Sequence, residues 1–197
     1  VGLLIYNVQQ ASYLQEQSRV ISEIAVLTMN RDAWASYIVY YPGAVIDPET
    51  QQCTSNCHIK SWGYWVHNIF TNAGMELVEQ DLGVGGAVTA ALYIAPANAT
   101  FTAAVASTQC CGGTDKSFPA SGGLNPQVGA YASTGTGTWT VIKAFTATVS
   151  GGGTTDVWGT GLLQAATSGE IAEVLFTNKA TLQTSDIITI TWSAAIT

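Results

Sequence analysis

The sequence predicts a mainly β protein, an antiparallel sandwich or barrel of immunoglobulin-like or jelly-roll-like kind with an N-terminal α-helical extension. Three observations predict it. Late in the chain, apolar residues alternate with threonines at period two, as in a sheet with one buried face. Glycine and serine clusters such as Ser150 to Thr155 and Ser121-Gly122-Gly123 separate these runs, as turns separate short strands. Residues 1 to about 30 instead repeat apolar residues at spacings of three and four, the period of a helix.

Taken in order, Leu3, Leu4, Tyr6, Val8, Ala11, Leu14, Ile21, Ile24, Ala25 and Met29 form the apolar stripe of that expected helix. Gln9, Gln10, Gln15, Glu16, Gln17, Arg19 and Glu23 form its polar side. The stripe packs either on its own domain or on neighbouring subunits. In the second case Leu3, Leu4, Val8, Leu14, Ile21 and Ile24 are the assembly contacts. The expected division is therefore 1–32, the helix, and 33–197, the β domain. Trp34 to Tyr41 is aromatic and β-branched, and Pro42-Gly43 marks a turn after it. A polar loop runs from Asp47 through Cys57. Lys60 to Phe70 is again strand-like, with Trp62 and Tyr64 on one face and Trp65 on the other. Thr71 to Gly74 reads as a helix start, with Met75 to Leu82 as its body and Gly83 as its stop. Trp139, Val141, Phe145, Ala147 and Val149 share one strand face, and Ile188, Ile190, Trp192 and Ile196 share another.

Only 10% of the 197 residues are charged, while 47% are hydrophobic. So few charges leave a surface either covered by Ser, Thr, Asn, Gln and Gly or hidden in contacts, and we read the shortage as a sign of assembly. Six Lys and Arg against 13 Asp and Glu form no basic stripe, which argues against electrostatic nucleic-acid binding. No apolar run is long enough to cross a bilayer as a helix. The chain starts at Val1, as either a processed export or a trimmed chain does.

The order TNAGMELVEQDL, ALYIAPANATFTAA, GTWTVIKAFTATV, VWGTGLLQAATSGEIAEVLF and ATLQTSDIITITWSAAI, from Thr71 to the C-terminus, resembles a loose group of phage and archaeal structural or hypothetical proteins. The resemblance covers about two thirds of the chain. It implies a virion tail, decoration or surface-filament role and transfers no functional residues. A helix joined to a β domain also resembles, in plan only, type IV pilin-like subunits. Glu16, Arg19 and Glu23 depart from the long uncharged helix usual there.

Four cysteines, Cys53, Cys57, Cys110 and Cys111, form two close pairs. An even count in an exported chain favours disulfides. Adjacent cysteines seldom bridge each other, so two cross-bridges between the 53/57 loop and the 110/111 loop are expected. Two rival readings use the same residues. One is a zinc site of four cysteines, or of three with His58. The other is a c-type haem on Cys53, Cys57 and His58, one residue longer than the usual attachment motif, with His67 as distal ligand. The expectation is no cofactor, no metal and no catalytic residue: there are two histidines, and no nucleophile elbow surrounds any serine. Gly83 to Gly86 reads as a turn and not a phosphate loop. Strand alternation sets Glu170 and Glu173 on opposite faces, against a paired acid and base. Asn98-Ala99-Thr100 is a glycosylation sequon.

The functional expectation is a structural subunit outside the cytoplasm, partnered by copies of itself in a pilus-like filament or a virus particle, with a slight preference for the filament. The alternatives are a surface adhesin that binds host glycans through Trp62, Trp65 or Trp158, and a haem electron-transfer protein.

Overall fold

The computed structural model describes residues 31–67, 69–72, 74, 92–119, 122–135 and 138–196. The expected N-terminal helix and its six assembly residues, the helix body at Met75 to Leu82 and the Gly83 to Gly86 turn lie outside the described residues. Twelve strands follow one another among these residues: β1 Arg31–Tyr40, β2 Val45–Ile46, β3 Cys53–Ser55, β4 Ile59–His67, β5 Ile69–Phe70, β6 Tyr93–Ala97, β7 Gln127–Val128, β8 Ala130–Gly135, β9 Thr138–Thr146, β10 Thr154–Ala165, β11 Ser168–Gln183 and β12 Ile187–Ile196.

Two five-stranded antiparallel sheets form a sandwich-like pair. One has the order β4-β1-β12-β9-β8, the other β5-β11-β10-β6-β7, and β2-β3 is a separate hairpin. The chain passes between the two sheets at β4/β5, β7/β8, β9/β10 and β11/β12. At the second corner stands Gly129. A Cβ there would come within 2.7 Å of Val141 Cγ1 and 2.8 Å of the Ile142 carbonyl oxygen, so only glycine lets the chain turn against β9. The sheets stay open at their edges, and the described residues form no closed barrel.

The alternation read from the sequence explains the core. Val141 and Phe145 of β9, with Ala147 beyond it, pack against Ile188, Ile190 and Trp192 of β12 and Ala35, Tyr37 and Val39 of β1, all in one buried cluster. The second sheet answers with Ile94, Val157, Leu162, Ala172, Val174, Phe176, Ala180 and Leu182. Each large side chain buried in this way stabilises the fold by about 1.5–3 kcal/mol. Two polar groups cross the core with partners. Trp192 Nε1 donates to Thr160 Oγ1 at 3.4 Å, and Tyr37 Oη donates to the Asn178 carbonyl at 2.9 Å while its ring tilts on Phe176, centroids 4.7 Å apart.

The outer face of the first sheet is crossed near one end by the β2–β3 segment. Gln51 Oε1 accepts from the Ala144 amide at 3.2 Å, on β9, although the segment leaves from β1. Tyr40, Ile187 and Thr189 are buried at that end. Lys60 pairs with Asp186 at 2.5 Å, tying β4 to the turn before β12.

Candidate functional site

The chemically distinctive region lies on the outer face of the second sheet. Four small residues share that face: Ala95 and Ala97 of β6, and Gly159 and Gly161 of β10, paired as Gly159↔Ala97 and Gly161↔Ala95. Small side chains leave a shallow trough, and the segment from Asn98 to Pro119 fills it. Phe101 lies over Gly159, where a Cβ would fall 2.7 Å from its Cε1 atom. Cys110 and Cys111 lie over Gly161 and Ala95 and are 2% and 0% exposed. Together with Ala95, Ala97 and Leu163 they make a second buried cluster, flanked by Tyr93 and Phe101.

Both cysteine pairs are oxidised, each within itself. Cys53 bridges Cys57, and Cys110 bridges Cys111 across a cis peptide bond. The expected cross-bridges are therefore not formed. Cys53–Cys57 staples the exposed hairpin beyond β1, on the first sheet, while Cys110–Cys111 lies on the outer face of the second, so the two loops do not meet. With both sulfurs of Cys53 and Cys57 joined, neither is free for a thioether bond to haem, and His58 beside them is exposed. The same bridges occupy all four sulfurs of the proposed zinc sets.

Glu170 and Glu173 stand under the Cys110–Cys111 loop, each 0% exposed. The expectation of opposite faces fails at one residue. Leu162 pairs with Ala172 but Leu163 pairs with Glu170, so Ile171 is an extra residue in β11, a β-bulge. The bulge shifts the alternation by one. Glu173, opposite Gly161, and Glu170, opposite Leu163, then face the same side. Thr71 secures the bulge, its amide donating to the Ile171 carbonyl at 2.9 Å and its hydroxyl to the Glu170 carbonyl.

The two carboxyls have different surroundings. Glu173 Oε1 accepts from the Ala104 amide at 2.5 Å and from Ser107 Oγ at 2.9 Å, and its Oε2 accepts from the Gly112 amide at 2.5 Å. It is the hub that holds the loop to the sheet. No N–H or hydroxyl from the described residues reaches either oxygen of Glu170. Burial, then the neighbouring charge of Glu173 and the hydrogen bond between the two carboxyls, push the Glu170 pKa up to about 9. Glu170 is therefore a neutral acid at pH 7, beside Glu173, whose oxygens the loop amides and Ser107 hold.

Asn98 is exposed at the start of the loop, as the sequon reading needs, and its Nδ2 donates to the Ser117 carbonyl at 3.1 Å. Trp62 is 57% exposed on β4, whereas Trp158 is half-buried with Lys179 Nζ 4.8 Å from its ring centroid. The Glu170–Glu173 pair and the buried disulfide were not foreseen as a unit. The sequence signal was the period-two run of small residues, Ala95-x-Ala97 and Gly159-x-Gly161, which marks a face that another backbone approaches closely.

Fold and site together define a mainly β, sandwich-like, disulfide-bearing protein. No protein-family model, curated protein or solved structure matches the chain.

Proposed function

We propose that this chain is a structural subunit that polymerises through contacts with its own copies into an extracellular filament or a virus particle. The observation that carries the reading is the free edge of β8. Ala130–Gly135 pairs with β9 on one side and, among the described residues, with nothing on the other. Natural edges are guarded by Lys, Pro or bulging away from solvent. This one has the sequence AYASTG, without charge or proline; its pairing with β9 is regular from Ala130 to Ser133 and shifts register only between Ser133 and Gly135, and Tyr131 on the regular part is 58% exposed. Such an edge suits strand addition from a neighbour. The scarcity of charge along the whole chain supports the same reading, and so does the apolar periodicity that the sequence carries between Leu3 and Met29. The filament is preferred over the virus particle because of that periodicity.

The test is electron microscopy of native, unheated material beside a Tyr131→Lys/Ser133→Lys variant. Regular filaments or particles from the unmodified chain, lost in a variant that keeps its β circular dichroism, are the expected result. Small separate particles from both would sink the reading. They would move the choice to a glycan-binding surface protein, which the exposed ring of Trp62 favours.

A further inference from the structure

The buried corner under the 98–119 loop carries an inference independent of assembly. Three observations converge there. The Sγ atoms of Cys110 and Cys111 and a carboxylate oxygen of Glu170 all lie within 4.8 Å of one another. Glu170 is fully buried; its carboxyl meets that of Glu173, but no N–H or hydroxyl from the described residues donates to either of its oxygens, so their acceptor capacity is unmet. Gly161 keeps open the space between them: a Cβ there would overlap Glu170 Oε1 and lie 3.2 Å from Cys110 Sγ. The carboxyl and the sulfurs thus face one notch, floored by a glycine. Glu173 is not part of this set. Its oxygens are committed to Ala104, Ser107 and Gly112, and it serves to hold the loop in place.

We propose that reduction of the Cys110–Cys111 disulfide turns this corner into a binding site for a zinc-class divalent cation, ligated by the two sulfurs and Glu170. Two thiolates and one carboxylate are a donor set that suits Zn2+, and three protein ligands leave a fourth position for water. The reductant is a dithiol, which gives two electrons and two protons to the S–S bond and becomes a disulfide itself. A phosphine does the same in vitro: the S–S bond breaks, water supplies oxygen to the phosphine oxide, and its two protons go to the sulfurs. Binding of the cation then releases the two thiol protons and the carboxyl proton of Glu170. While the disulfide is intact both sulfurs are committed to each other, so the site exists only in the reduced protein.

The experiment uses the full chain with Cys53→Ser and Cys57→Ser, so that Cys110–Cys111 is the only reducible pair. The protein is reduced with a phosphine, freed of reagent under argon and titrated with Co2+. The expected result is one Co2+ per chain, with sulfur-to-cobalt charge-transfer absorption that Zn2+ abolishes, and none in the oxidised protein. Glu170→Gln, which keeps the volume of the side chain, should weaken binding by at least about tenfold. The proposal is overturned if the reduced chain keeps its β circular dichroism and shows no charge-transfer absorption. It is overturned equally if reduction alone abolishes that β signal, or if Glu170→Gln binds as tightly as its parent.

Discussion

Glu170 and Glu173 are three residues apart on one strand face, equally buried, yet the same substitution should have very different consequences at each. Glu173→Gln keeps the shape and removes the charge. Its oxygen can still accept two of the three bonds now made by Ala104, Ser107 and Gly112, but its amide nitrogen turns a donor toward a donor. A buried N–H or O–H left without an acceptor costs about 1–3 kcal/mol. The surviving bonds fall from the charged range toward the neutral one, about 1 kcal/mol each. The sum is about 3–5 kcal/mol, a large part of the roughly 5–15 kcal/mol that holds a domain folded. Glu170→Gln at pH 7 replaces an already neutral group that takes no donor from the described residues, and should cost less than about 1 kcal/mol. Urea denaturation with disulfides intact measures both. Amide exchange at Ala104 and Gly112 adds a local reading, since both should lose protection in Glu173→Gln only. Equal costs for the two substitutions would refute the assignment of Glu173 as the hub.

Two further outcomes follow from the same corner. Glu170 holds its proton in the fold up to about pH 9, against a reference value of 4.5. The folded state therefore binds the extra proton between those limits, so the stability from this group is full below about pH 4.5 and declines as pH rises toward 9, by at most about 1.4 kcal/mol per pH unit. Denaturation midpoints measured across that window should show the decline, and Glu170→Gln should flatten it; a slope unchanged in the variant would place its source elsewhere. Gly161→Ala forces a methyl against Glu170 Oε1 and the Cys110 side chain, and should cost about 1–3 kcal/mol with accelerated exchange confined to the 98–119 loop. A neutral outcome in thermal denaturation would show that the notch is wider than described.

Much of the framework was legible because period two survives wherever one face of a strand is buried. The runs at β9 and β12 put Val141, Phe145, Ile188, Ile190 and Trp192 into the core as their alternation requires. The Lys60 to Phe70 stretch was legible as extended, but not its passage from one sheet to the other, because no residue type signals which partner a strand takes. The cysteine connectivity departs from expectation for a related reason. The rarity of adjacent bridges favours pairing between the two loops, whereas the sheets beneath them set their positions and hold the pairs apart.

The misplacement of Glu170 shows what kind of information a one-dimensional pattern lacks. Alternation predicts a face only while each strand residue meets one partner. The bulge at Ile171 breaks that count, and it is defined by the pairing of β11 with β10, since Leu162 and Leu163 face Ala172 and Glu170 with one residue to spare. Nothing local to GEIAEV announces it. What the sequence does carry is the compensating side: Gly161 opposite Glu173, and Ala95 beside it, are small where a strand of ordinary composition would place β-branched residues. A sheet face of glycine and alanine, where β9 and β12 put Val141, Phe145, Ile188, Ile190 and Trp192 on their buried face, marks a surface that something must cover closely. Here the cover is a loop whose buried disulfide and amides meet two carboxyls that the bulge has brought to one side. The bulge, the small residues and the loop depend on one another: without the extra residue, Glu170 and Glu173 would fall on opposite faces, and one carboxyl would point into the apolar core that Leu162, Ala172 and Val174 line.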